Sequence, residues 1–208
     1  MLLFFSGLLA GSLHVVSGPD HVAAIAPLSL RTPKGGSALG AVWGLGHGGG
    51  VALWVAGAAL LRAGWGYELP SAVLEAVVGV ALMALGVVSY RRASARESAT
   101  EHGSAHANDA RAHGRGRVAA FVMGALHGSA GATHLLALLP TLGLPTRGAV
   151  AYAAGYLLAG VLAMASVGSV IGRLSARFPD LTHVRRVCAL SVLTLGTAWL
   201  ASAIADLT

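Results

Sequence analysis

Stretches without charge recur along this chain. They run from Met1 to Pro19, Gly35 to Leu61, Val118 to Thr146, Gly148 to Gly172 and Val187 to Ala205, and a sixth, Leu69 to Tyr90, is broken only by Glu75. Each approaches or exceeds the roughly 18 to 20 apolar residues that cross a bilayer core. The pattern predicts helices over Leu2 to Leu30 (long and interrupted), Gly36 to Leu61, Pro70 to Tyr90, Val118 to Pro140, Gly148 to Leu174 and Val184 to Ile204. The expected fold is an all-α integral membrane protein of about six transmembrane helices.

Composition agrees: 55% of the 208 residues are hydrophobic, 11% are charged and mean hydropathy is +0.72, against about 25% charged in a soluble domain. The net charge of +6 suggests a nucleic-acid partner until the basic residues are placed. Twelve of fourteen fall in the odd-numbered loops, and only Arg62 and Arg147 in the even ones. Cytoplasmic loops collect Lys and Arg, so the bias predicts a multi-pass protein of the cell's inner (plasma) membrane with both termini on the outer side, and no nucleic-acid partner. The opening MLLFFSGLLAGSLH lacks a positive leader and a cleavage site, and is read as retained helix. Lone Cys188 excludes a disulfide framework and a CxxC redox pair.

The segment 91–117, rich in Ala, Ser, Gly, His and Arg, has no apolar periodicity and reads as a cytoplasmic linker or disordered loop between three-helix halves, 1–90 and 118–208. At an offset of 113 residues, Gly11-Ser-Leu-His14 falls on Gly124-Ala-Leu-His127, Gly18 on Gly131, His21 on His134 and Pro27 on Pro140. An odd number of spans per half would make the copies cross in opposite senses, the inverted-repeat plan of many secondary transporters.

Ionisable side chains at membrane depth are costly and usually line a site or pathway. Span one carries His14, Asp20 and His21, span two His47, span three Glu75, and span four His127 and His134. On an unbroken helix His14 and His21 would stand about 10.5 Å apart along the axis, too far to share an ion. Gly18-Pro19 lies between them, and a proline there predicts a kink or unwound turn that shortens the distance. The glycines flanking His47 would let another helix approach it closely. His14, Asp20, His21 and His47 are therefore the expected metal ligands. Ser17, Glu75, His127, Ser129 and His134 are expected around them or along a pathway, with Thr133 standing where Asp20 stood in the first half. His102, His106 and His113 of the loop are auxiliary candidates, for which plain solvation is the competing reading. Imidazole with carboxylate and no thiolate suits Ni²⁺, Co²⁺ or Zn²⁺.

At these residues the chain resembles the nickel/cobalt transporter (NicO/NiCoT) superfamily, and more closely its short six-helix members, including those associated with urease. Gly46-His47 is similar to that family's Gly-His element, and His127-Gly-Ser-Ala-Gly131 to its His-Gly-x-Ala-Gly element. Its span-one pattern is His, four residues, Asp-His, whereas five residues separate His14 from Asp20 here. The resemblance implies movement of Ni²⁺ or Co²⁺ through a membrane permease rather than an enzyme, with the ion as cargo, no prosthetic group, and the lipid bilayer as surroundings; direction is not encoded in these motifs, and uptake is the expected reading. A second copy or an accessory subunit stands as an open partner. Export by the same fold is the alternative. An intramembrane metallohydrolase is a remote third, since HExxH is absent.

Overall fold

The computed structural model describes residues 1–32, 34–65, 71–100, 109–129, 138–178 and 180–207. These form seven α-helices and one 3₁₀ turn: α1 (Leu2–Ser17), α2 (Pro19–Ser29), α3 (Gly36–Trp65), α4 (Ser71–Thr100), α5 (Asp109–Ser129), the 3₁₀ turn Leu139–Gly143, α6 (Thr146–Arg177) and α7 (Thr182–Leu207). Within them Glu75–Ala95, Thr146–Arg177 and Thr182–Asp206 are each long and apolar enough to cross a membrane, and α1 with α2 forms a fourth such unit bent by 70°. Large apolar side chains such as Leu2, Phe5, Leu9, Val16 and Leu53 cover the outside. A surface so apolar fits lipid better than water.

The bend has a local cause. Gly18 is extended (φ −87°, ψ 101°) and its N–H still donates to the His14 carbonyl, closing α1. Pro19 then opens α2, where its fixed φ suits a first helical position and its missing N–H leaves nothing unsatisfied. A side chain at residue 18 would collide with the His21 ring and the Asp20 carboxylate, so glycine here lets both fold back over the break.

Beyond the break, α2 runs through the middle of the bundle and touches the other six helices. Its Ile25 and Leu28 pack into a core with Val15, Trp43, Leu82, Met123, Met164 and Val192. Around it α1 pairs with α6, α5 with α3, α3 with α6, and α4 with α7. Glycine makes these crossings close. A Cβ on Gly7 or Gly11 would meet the Tyr152 or Tyr156 carbonyl of α6, and one on Gly124 or Gly128 the Trp43 or His47 carbonyl of α3. Gly36 faces Gly168, and Gly79 faces Gly196, in the same manner. Such backbone proximity, with its dispersion energy, is how helices pack where small residues line their crossings.

The expected interruption of the first span at Gly18-Pro19 is present, as two helices meeting at a steep angle. One expectation needs correction. The segment 91–117 is not wholly irregular: α4 continues to Thr100 and α5 starts at Asp109, with 101–108 outside the described residues. The reason is propensity, because Arg91-Arg-Ala-Ser-Ala-Arg-Glu97 is rich in good helix formers, and a helix extending beyond its apolar stretch needs no apolar face to continue.

Candidate metal centre

Four histidines and one aspartate from four helices meet where α1 breaks. His14 sits on the last turn of α1, Asp20 and His21 on the first turn of α2, His47 midway along α3, and His127 near the end of α5. The 70° bend turns the seven-residue separation of His14 and His21 into ring centroids 4.7 Å apart. His21 is the hub, 5.2 Å from His47 and 4.8 Å from His127, measured between ring centres. One ligand atom from each of His14, His21 and His47 lies within 4.8 Å of the others, and the same holds for Asp20, His21 and His127. His21, His47 and His127 are buried and His14 is half-buried.

Asp20 ties the two groups together. Its Oδ1 is 3.0 Å from His21 Nδ1 and its Oδ2 is 2.9 Å from His127 Nε2. An ionised carboxylate only accepts, so each nitrogen facing it carries the proton and donates. The other ring nitrogen of each histidine then holds the lone pair that a metal requires, as in sites where a carboxylate fixes the tautomer of a ligating histidine. Asp20 also places one carboxylate against a cluster whose histidines His21, His47 and His127 are buried.

Aromatic rings enclose the cluster. Trp43 stacks on His47 at 5.0 Å and 10° between planes, Tyr156 lies 5.8 Å from His14, and Trp199 lies 5.3 Å from His127. The Trp43 Nε1–H and the Tyr156 hydroxyl are buried and make no hydrogen bond among the described residues. A small crevice lined by Gly11, His14, Gly44, His47, Gly48, Tyr156 and Gly160 reaches the cluster between α1, α3 and α6.

The positions expected from sequence divide. His14, Asp20, His21 and His47 converge, and His127, expected only around them, joins through Asp20. Ser17 is exposed and donates to the Leu13 carbonyl at 2.7 Å, while Ser129 donates to Ala125 at 2.6 Å. Each hydroxyl serves its own helix, the ordinary fate of serine in an apolar helix. Glu75 is half-buried one turn into α4 and belongs to neither ligand group. His102, His106 and His134 lie outside the described residues, and His113 falls early on α5 with its side chain outside them. Trp43, Tyr156 and Trp199 were missed. Trp43 precedes His47 by one helical turn, and Tyr156 follows Trp43 by 113 residues, the offset that relates His14 to His127, so both carried a signal.

Fold and site define a class: an all-helical protein, apolar enough for a membrane, built round a buried histidine and aspartate cluster. Among curated proteins, the chain is 33% identical over 189 residues to Chloroplast protein FOR GROWTH AND FERTILITY 2 of Arabidopsis thaliana, covering 86% of this chain and 50% of that protein. It is 33% identical over 182 residues to Chloroplast protein FOR GROWTH AND FERTILITY 1 of the same plant, covering 82% and 50%. The chain thus spans about half the length of the curated relatives it matches. No family model and no solved structure matches it.

These comparisons overturn the resemblance to the nickel/cobalt transporter superfamily. The relatives are the chloroplast proteins, and no family model supports membership of that superfamily. The shared elements were short. Glycine beside these histidines serves close helix crossing, with Gly46 against the Phe121 carbonyl and Gly128 against that of His47, so the motifs have a packing role of their own.

Proposed function

We propose that this chain is a membrane permease for a divalent transition-metal ion, Ni²⁺ or Co²⁺ in the first instance, carried inward through the cluster of His14, Asp20, His21, His47 and His127. The observation that carries the reading is the break at Gly18, which brings two histidines and an aspartate of one segment against histidines of α3 and α5. Nitrogen-rich donors with one carboxylate favour borderline divalent ions over Ca²⁺ or Mg²⁺. The donors form two overlapping groups of three that share His21, and imidazole with carboxylate suits Ni²⁺, Co²⁺ and Zn²⁺ alike. Cys188 lies on α7 and joins neither ligand group, which disfavours Cu(I). No bond-making step is assigned, so the protein is read as a transporter and not an enzyme.

In the same reading, six spans form two inverted three-helix repeats in the cell's inner membrane, with the broken first span at the ion path. The pairings support this. Exchanging the halves maps the α1–α6 contact onto the α5–α3 contact, and the approach of Gly11 to Tyr156 onto that of Gly124 to Trp43, each residue shifted by 113. Broken helices at the midplane of such repeats expose backbone groups and ligands to an ion.

Metal accumulation in cells expressing the full chain tests the function. Cells with the wild-type protein should gain nickel or cobalt, and export would lower it. His21→Ala or Asp20→Ala should abolish the change at unaltered protein level in the membrane fraction, while replacing His102, His106 and His113 together should alter it only modestly. Equal loss in both sets would refute the site assignment.

A further inference from the structure

A second polar feature lies at the end of α2 away from the histidine cluster. Pro27 from α2, Arg31 from the turn that follows it, Ser89, Arg92 and Ala93 from α4, and Arg185 from α7 line one pocket. Three arginines and a serine are among its lining residues, and no carboxylate is. Arg185 Nη2 donates to the Leu30 carbonyl at 3.4 Å, so this side chain also caps α2. Exposed Asp180 lies close enough to feel the Arg185 charge but does not line the pocket. The C-terminus of α2 contributes about half a negative charge here, far less than three guanidiniums supply. A solvated basic face would spread its arginines around the helix ends. Here they come from three separate elements and converge on one concavity.

We propose that this pocket binds a phosphate group, as the headgroup of an anionic phospholipid or as free phosphate. Arginine forks match phosphate oxygens in pairs, a hydroxyl adds a further donor, and basic pockets between helices on the side richer in Arg and Lys suit anionic headgroups. The site is independent of the metal reading, and shares with the histidine cluster only α2, the helix that carries Asp20 and His21 at its other end.

The full chain, purified in detergent and delipidated, is titrated with phosphatidylglycerol, phosphatidylcholine and inorganic phosphate, with native mass spectrometry counting bound lipid and thermal unfolding reporting saturation. Phosphatidylglycerol should bind saturably and phosphatidylcholine should not. Arg31→Gln with Arg92→Gln should weaken binding roughly 25-fold, about fivefold for each cation removed. Inorganic phosphate binding with the same mutant sensitivity, in place of the lipid, would identify free phosphate as the source. Equal binding of both lipids, or unchanged anion affinity in the double variant, would overturn the proposal. Should the glutamine variant fail to fold, Arg31→Lys with Arg92→Lys keeps the charge but not the forks. Weaker anion binding there supports the site, and unaltered affinity overturns it.

Discussion

Gly128→Ala tests whether the metal site depends on the close approach of α5 to α3. A Cβ at residue 128 would overlap the His47 carbonyl oxygen and stand 2.8 Å from its carbonyl carbon and 3.0 Å from its Cα. The carbonyl oxygen is the nearest atom, so restoring ordinary contact at 3.4 Å or more requires a shift of more than about 1 Å between the helices at His47. Metal–ligand distances tolerate about 0.2 Å, so the shift is several times what the site can absorb without losing a ligand. The overlap should destabilise the bundle by about 1–3 kcal/mol, less the roughly 1 kcal/mol that alanine gains over glycine within a helix. Metal affinity should fall about 10- to 100-fold although no ligand has been removed. Gly49→Ala is the matched control, since it lies two residues from His47 with nothing within 4 Å of its added Cβ. That variant should keep wild-type affinity and melt at the same or a higher temperature. Affinity is measured by calorimetric titration of nickel into purified protein in a non-chelating buffer, with thermal unfolding in detergent alongside. If Gly128→Ala binds nickel within threefold of wild type, or if Gly49→Ala loses as much, close approach is not what positions His47.

Three further outcomes are expected. Nickel affinity should weaken in acid, by up to one decade per pH unit for each histidine that takes up a proton in the free protein, because only neutral imidazole ligates; burial disfavours the imidazolium, so the fall begins below the range of a free histidine. A profile that stays flat down to the pH at which the protein unfolds would remove the imidazoles from the site. Trp43→Ala, which deletes a fully buried ring stacked on His47, should lower stability by about 3–5 kcal/mol in chemical or thermal unfolding, and a loss below about 1 kcal/mol would mean the stack is dispensable. Asp180 accepts the Thr182 N–H at the start of α7, and that hydrogen bond holds its carboxyl below the usual carboxylate range. A lowered carboxyl stabilises the fold above its ordinary pKa, and that contribution is lost as acid protonates it. Asp180→Asn should therefore lower the melting temperature near neutral pH, with the difference fading in acid, and a pH-independent difference would contradict the assignment.

What was legible in the sequence was local. Uncharged stretches identified apolar helices because crossing hydrocarbon demands length and the absence of charge, and both are properties of consecutive residues. The break between His14 and His21 was equally legible, since Pro19 cannot continue a hydrogen-bonded turn and Gly18 is extended without strain. His47 could be singled out because glycines on either side expose its ring to a neighbouring helix. Other features depended on which faces meet. His127 became a partner of Asp20 only because α5 packs on α3 behind α2, and no spacing within its own helix announces that. Ser17 and Ser129 look suited to a polar site in one dimension, yet each bonds its own helix. Tyr156 and Trp199 enclose the histidines from α6 and α7, far along the chain. A linear pattern records the cost of placing each residue at membrane depth, whereas the partners that offset the cost are chosen by helix crossings. Those crossings are set by where glycine lets backbones touch, and that is a property of pairs of helices.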